Sequence, residues 1–309
     1  MMSGAIARYK TFMDNEFPYI TPPPPLAQPG EPQPPASQTE THSEPQAEPH
    51  PEPERPPLVA PLWHTLIIVA AILLNSYFSG SKIAGTQQQQ HRPFLYLSSI
   101  VLDILVFLFL WIGLRLRKFS MRELIGGQRD RFKTFLAGIG VPSGFWMATI
   151  SLLIEIGVTA LFWIVSTSAL GGLKYALGLA GKDPKVAMDA VKQSMGAVLP
   201  HTGPELALFV CLALTAGIFE EILFRGYLQK QLGSLTGNAW VGLVISAVIF
   251  GAAHGYQGAR FMVLIAIYGM MFGLLAHFWK GLRPGMMAHA FQDAFSGIAF
   301  FILTKYKLI

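Results

Sequence analysis

The chain has 309 residues, 52% of them hydrophobic and only 13% charged, and its apolar runs approach twenty residues. A soluble domain cannot hide such runs, so composition excludes a soluble cytosolic enzyme and leaves an all-α, polytopic membrane protein. The net charge of +5 divides into residues 1–57, with three Lys/Arg against eight Asp/Glu, and residues 58–309, with twenty against ten; basic loops against anionic headgroups account for the second part, and no nucleic-acid partner is expected.

Residues 1–57 form the first region. Sixteen of the 22 prolines fall between Pro18 and Pro61, among Gln, Glu, Ser and Thr, a mixture that buries too little apolar surface to offset chain ordering. The expectation is a disordered, partly polyproline II tail, a tether whose Pro22–Pro25 run could also dock on an aromatic groove of a partner. Met1 to Lys10 lacks the apolar core of a cleavable signal peptide, so the first hydrophobic segment is expected to be a retained span.

Residues 58–309 read as a transmembrane helical domain of about seven spans. The first two are expected at about 62–78 and 94–114, joined by a polar link containing Gln87 to Gln90. The next segment, 115–133, holds seven Lys/Arg against Glu123 and Asp130, which by the positive-inside rule places that loop and the N-terminal tail in the cytoplasm. Gly138, Gly140, Pro142 and Gly144 interrupt the following apolar run, so the third span is set at 145–170. A link with four lysines covers 171–203. Thr202 and Pro204 then read as cap and first turn of the fourth span, 205–232. The last three are expected at 239–255, 260–279 and 284–304.

Three short motifs fall on spans four, five and seven: Glu220-Glu221-Ile222-Leu223-Phe224-Arg225, Phe250-Gly251-Ala252-Ala253-His254, and His289-Ala290-Phe291-Gln292-Asp293. Ionisable groups at bilayer depth cost several kcal/mol unless they pair or face a wet cavity, so each is a candidate for function. Residues four apart share a helix face: Glu221 is expected to pair with Arg225, while Glu220, rotated by about 100°, is left as a carboxylate suited to a general base. Phe250 is placed against the His254 ring, with Gly251, Ala252 and Ala253 admitting a neighbouring helix. His289 and Asp293 point at one site, with Asp293 orienting the histidine or donating to it when protonated. Depth is less consistent. Counted from the link near 232–238, Glu220 lies about 18 Å and His254 about 24 Å deep, but His289 only about 8 Å from the turn at Pro284.

Of the other polar groups, Asp103 and Glu155 are expected to cap or pair between helices, and His277 to be interfacial. The single cysteine, Cys211, is expected to pack and leaves no intrachain disulfide. A proton relay or transporter would also use Glu, His and Asp, but no matching half-repeats are present.

The three motifs, in this order on neighbouring spans, resemble the CPBP family of CAAX prenyl endopeptidases of type II and bacteriocin-processing or immunity proteins, over about residues 205–304. The resemblance implies peptide-bond hydrolysis within the membrane. Glu220 would activate water, His254 would partner it at that water, and His289 with Asp293 would stabilise the oxyanion; Glu221, Arg225 and Phe250 would support them. Prenyl-protease members carry asparagine where Asp293 stands, so this aspartate must be protonated, act through His289 or bind a metal. A metal-free mechanism is the preferred expectation, with Zn²⁺ on Glu220, His254, His289 and Asp293 as the alternative. The substrate would be a membrane-associated peptide or protein, possibly lipidated. The runner-up is a non-catalytic binding or bacteriocin-immunity protein of the same fold. A prokaryotic inner membrane is the expected location.

Overall fold

Apolar runs closed by caps and turn residues fold here as helices throughout. The structure is a computed structural model describing residues 56–83, 92–126, 137–140, 142, 144–176, 196 and 198–306. The expected tail, apart from its last two residues, the Gln87–Gln90 link and most of the 171–203 link lie outside these. Among the described residues the main helices are α1 (Leu62–Ile83), α2 (Arg92–Leu116), the short α3 (Met121–Ile125), α4 (Phe145–Ala176), α5 (Gly203–Glu220), a π-helical segment (Glu221–Leu228), α6 (Gln229–Thr236), α7 (Ala239–Ala253), α8 (Ala259–Trp279) and α9 (Arg283–Lys305). A 3₁₀ turn, Gly255–Gln257, joins α7 to α8.

Among the described residues, five helical stretches are long and apolar enough to cross a membrane, and two shorter apolar helices accompany them. The protein is an integral membrane helix bundle. Side chains such as Leu66, Phe94, Leu105, Leu153 and Leu161 are exposed on the outer faces of α1, α2 and α4, a surface that only lipid can cover at low cost.

Two of the caps show how the chain starts its helices. Thr202 accepts from the Glu205 amide while Glu205 reaches back to the Thr202 amide, with Pro204 in the first turn; this reciprocal box satisfies backbone donors that the first turn cannot. Asn238 does the same service for α7, accepting from the Trp240 and Val241 amides.

Small residues set the close approaches. A methyl group on Gly217 would stand 2.5 Å from the Ala290 backbone nitrogen, and one on Gly297 would meet the Phe209 ring, so α5 and α9 run antiparallel in direct backbone contact. Gly251 faces Met262 and Ala266 in the same way, closing α7 on α8. The α2 helix lies parallel to α5, through Arg92–Glu205 at 3.8 Å, Tyr96 on Phe209 and Phe107 on Phe219. α4 runs parallel to α9, through Glu155–Arg283 at 3.6 Å and the Trp163 indole N–H donating to Gln292 Oε1 at 2.6 Å. Glu155 thus pairs between helices as expected.

α1 is tied to the bundle by a buried polar chain. His64 donates from Nε2 to the Phe109 carbonyl, and its Nδ1 meets the Tyr227 hydroxyl, which also bonds Thr65. Gln231 donates to Thr65 and Ala60, and its Oε1 accepts the Val59 and Ala60 amides. Every member has a partner, as a buried polar group requires.

His277, in the last turn of α8, is 3% exposed with its ring 4.8 Å from that of Trp240 and tilted by 38°. One expectation fails. Cys211 does not pack, but is exposed on the outer face of α5.

Candidate active site

The site begins where α5 changes pitch. At Glu220 the α-helix gives way to eight residues of π-helix, all of them buried. The Phe224 carbonyl receives the Gln229 amide five residues on and also the Ser246 hydroxyl at 2.7 Å, so the widened turn leaves that acceptor well satisfied. Gly226 lets Leu124 of α3 and Leu282 of the α8–α9 turn close on the segment.

The two adjacent glutamates therefore part company. Glu221 is 1% exposed and Arg225 3%; their side chains pair at 2.8 Å, as their spacing of four predicts. Arg225 also donates to the Gly269 carbonyl at 3.1 Å and lies over the Phe250 ring at 4.2 Å. Buried charges persist only when fully engaged in this manner.

His289 arrives from α9, whose antiparallel contact at Gly217 and Ala290 brings it beside the end of α5. Its Nδ1 donates to Glu221 Oε1 at 3.0 Å. The expected orienter, Asp293, is thus replaced by Glu221: a carboxylate on Nδ1 fixes the ring and leaves Nε2 facing the site. That Nε2 is 3.8 Å from Glu220 Oε2 and 3.6 Å from Asp293 Oδ2. The rings of Phe272, at 5.2 Å, and Phe250, at 6.0 Å, wall the imidazole.

Glu220 is the open counterpart. Its side chain is 24% exposed, and Oε2 is buried without a hydrogen-bond partner. Asp293 is 41% exposed. His254 closes α7, donating from Nδ1 to the Phe250 carbonyl at 2.9 Å, with its ring 4.9 Å from that of Phe250. Its Nε2 is therefore left as an acceptor. His254 acts electrostatically on Asp293, so the two share one neighbourhood.

The depth mismatch is resolved by helix length. Gly203–Thr236 is one continuous 34-residue stretch, about 51 Å at 1.5 Å per residue, against a hydrocarbon core of about 30 Å. Its last turns extend beyond the α8–α9 turn, which docks near Gly226, so counting from residues 232–238 sets Glu220 too deep relative to His289. The Leu282 amide donates to the Ile125 carbonyl, and Lys230 holds the Glu123 and Leu124 carbonyls; these bonds pin that turn and α3 at the level of the π-segment.

Several contributors lie outside the motifs. Ser76 of α1 donates to the Ala252 carbonyl at 2.6 Å and accepts the Gly255 amide at 3.0 Å, bracketing His254. Tyr256 follows two residues later, and Asp103 of α2 lies within electrostatic reach of Glu220. Of these, Asp103 stood out in the sequence as an ionisable group in an apolar run, the polar Tyr256-Gln257 pair lies close after a motif histidine, and Ser76 carried no signal. Among the described residues, no three His, Cys, Asp or Glu side chains form a group that could hold a metal ion.

Residues 202–295 match the family model described as type II CAAX prenyl endopeptidase Rce1-like. The match spans the π-segment and all three motifs and leaves α1, α2 and α4 outside it. No curated protein and no solved structure matches the chain.

Proposed function

Since residues 202–295 match the family model described as type II CAAX prenyl endopeptidase Rce1-like, we propose that the protein hydrolyses a peptide bond of a membrane-associated or lipidated substrate with Glu220 as general base. The observation that carries this reading is the Glu220 Oε2 atom, buried, unpartnered and 3.8 Å from His289 Nε2. A buried carboxylate oxygen without a bond is costly unless water or substrate supplies one.

Glu220 takes a proton from water as the oxygen attacks the carbonyl carbon. His254, whose Nε2 is free to accept, holds that water. His289, fixed at Nδ1 by Glu221, donates from Nε2 to the oxyanion when it carries both protons, and Asp293 supports that proton. The C–N bond then breaks, and Glu220 returns its proton to the leaving amine. No step requires a metal. Activity that survives chelation, in washed protein without stoichiometric zinc, is the expected result; loss to chelator with recovery on adding zinc would reject it.

The basic 115–133 segment supports a cytoplasmic N-terminus, with the Pro-rich tail as a tether or partner-binding arm. The test is terminal-peptide proteomics on cells lacking the protein, complemented with wild type or Glu220→Ala at equal membrane abundance. New termini with wild type alone are expected. Identical profiles would instead favour a non-catalytic binding role.

A further inference from the structure

The turn after His254 places a phenol that the scheme above does not use. Ser76 holds the Gly255 amide and the Ala252 carbonyl, so the 3₁₀ turn Gly255–Gln257 leaves α7 in a fixed direction. Tyr256 then lies with its ring 6.0 Å from that of His254, tilted by 34°.

Its hydroxyl has a defined polarity. Gln257 donates from Nε2 to the Tyr256 oxygen at 3.0 Å. A phenol oxygen already accepting from an amide has its own proton left to give, so Tyr256 is set as a donor. Burial pushes this phenol up to about 12, the Gln257 bond opposing it and the Glu220 and Asp293 carboxylates adding to it. The group is therefore protonated at neutral pH, and its ring lies against that of His254, with the Glu220 and Asp293 carboxylates as the negative groups that bear on it.

We propose that Tyr256 is a substrate-contacting hydrogen-bond donor of the oxyanion site, acting beside His289. The inference rests on the hydrolytic reading. In the resting enzyme the Tyr256 hydroxyl donates to neither carboxylate among the hydrogen bonds of the described residues, so its proton is uncommitted. Once Glu220 has taken the water proton it is a weak acceptor, and the oxyanion forming next to it is the strongest in reach. The same O–H then turns to a charge that exists only in the transition state and its intermediate, and such a contact raises kcat rather than lowering KM.

The experiment extends the terminal-peptide profile with a third arm, Tyr256→Phe, at equal membrane abundance. A peptide spanning the strongest new terminus is then cleaved by each purified full-length protein in lipid vesicles. Tyr256→Phe is expected to lower kcat about 10²-fold, as loss of one oxyanion donor does, with KM within about threefold of wild type. A kcat within threefold of wild type overturns the inference, as does a loss expressed mainly in KM. If Glu220→Ala silences cleavage while Tyr256→Phe matches wild type, only this inference fails. If wild type and Glu220→Ala give the same termini, the hydrolytic reading fails and takes this one with it. Should Tyr256→Phe not reach the membrane, Gln257→Met leaves the phenol in place without its amide anchor. It is expected to lower kcat about threefold to tenfold at unchanged KM, and no loss would overturn the inference.

Discussion

Glu220 and Glu221 are neighbours in the chain and opposites in the structure. Glu221 is enclosed, bonded to Arg225 at 2.8 Å and to His289 at 3.0 Å; Glu220 keeps one oxygen free and part of its surface open. The difference is a rotation of about 100° at the point where the helix changes pitch. A paired carboxylate is a fixture that aims other groups. An unpaired one in the same low-dielectric surroundings is a reagent.

The sharpest way to break that comparison is to neutralise each glutamate in turn. Glu220→Gln is expected to lower the cleavage rate by roughly 10²–10⁴-fold, the usual worth of a general base, with little change in thermal midpoint. Glu221→Gln is expected to lower both rate and midpoint, because Arg225 then loses its carboxylate partner. Equal loss of stability in the two variants would show that the division of roles is wrong.

Arg225 probes the enclosed arm from the other side. Arg225→Ala leaves Glu221 charged, buried and without its cation, so a loss of about 3–5 kcal/mol in unfolding free energy is expected. Arg225→Lys keeps the charge but not the geometry that serves Glu221, the Gly269 carbonyl and the Phe250 ring together. An intermediate loss is expected there, read by denaturant titration in detergent.

Asp293 sharpens the open arm. It is more exposed than Glu220 and its Oδ2 lies 3.6 Å from His289 Nε2, beyond a direct bond. Asp293→Asn is expected to keep activity within about tenfold of wild type, since an amide can still accept and donate at that place. Asp293→Ala is expected to cost more. An Asn variant as inactive as the Ala variant, measured as kcat in vesicles, would mean that its charge is indispensable.

Much of this was legible in the chain. Apolar runs, the Thr202 cap and the spacing of four between Glu221 and Arg225 are local features, and each appears where local rules put it. Relative depth was not legible, since it depends on a 34-residue helix outrunning its neighbours and on a turn pinned by α3 and Lys230. The orienter of His289 was misassigned for a related reason. The spacing of four made Asp293 the candidate, while the bond actually comes from another helix, through backbone contact at Gly217. Cys211 faces outward because helix packing, not composition, decides which face is enclosed. Ser76 gave no sign of itself, standing in a helix outside every motif.

Ser76 also provides the smallest effect and the cleanest test of whether α1 takes part in positioning. Its hydroxyl joins the residues on either side of the His254 turn, and each neutral hydrogen bond contributes on the order of 1 kcal/mol. Ser76→Ala is expected to reduce kcat roughly tenfold, the equivalent of about 1.4 kcal/mol, by letting His254 move off its water. Gly255→Ala inflicts the same damage from the other side, since its added methyl would stand 2.7 Å from Ser76 Oγ and force it away. If the two act through one clamp, the double variant loses little more than either single one. Additive losses would mean that α1 merely fills space beside the catalytic turn, and the division between fixture and reagent would then end at the segment that carries the motifs.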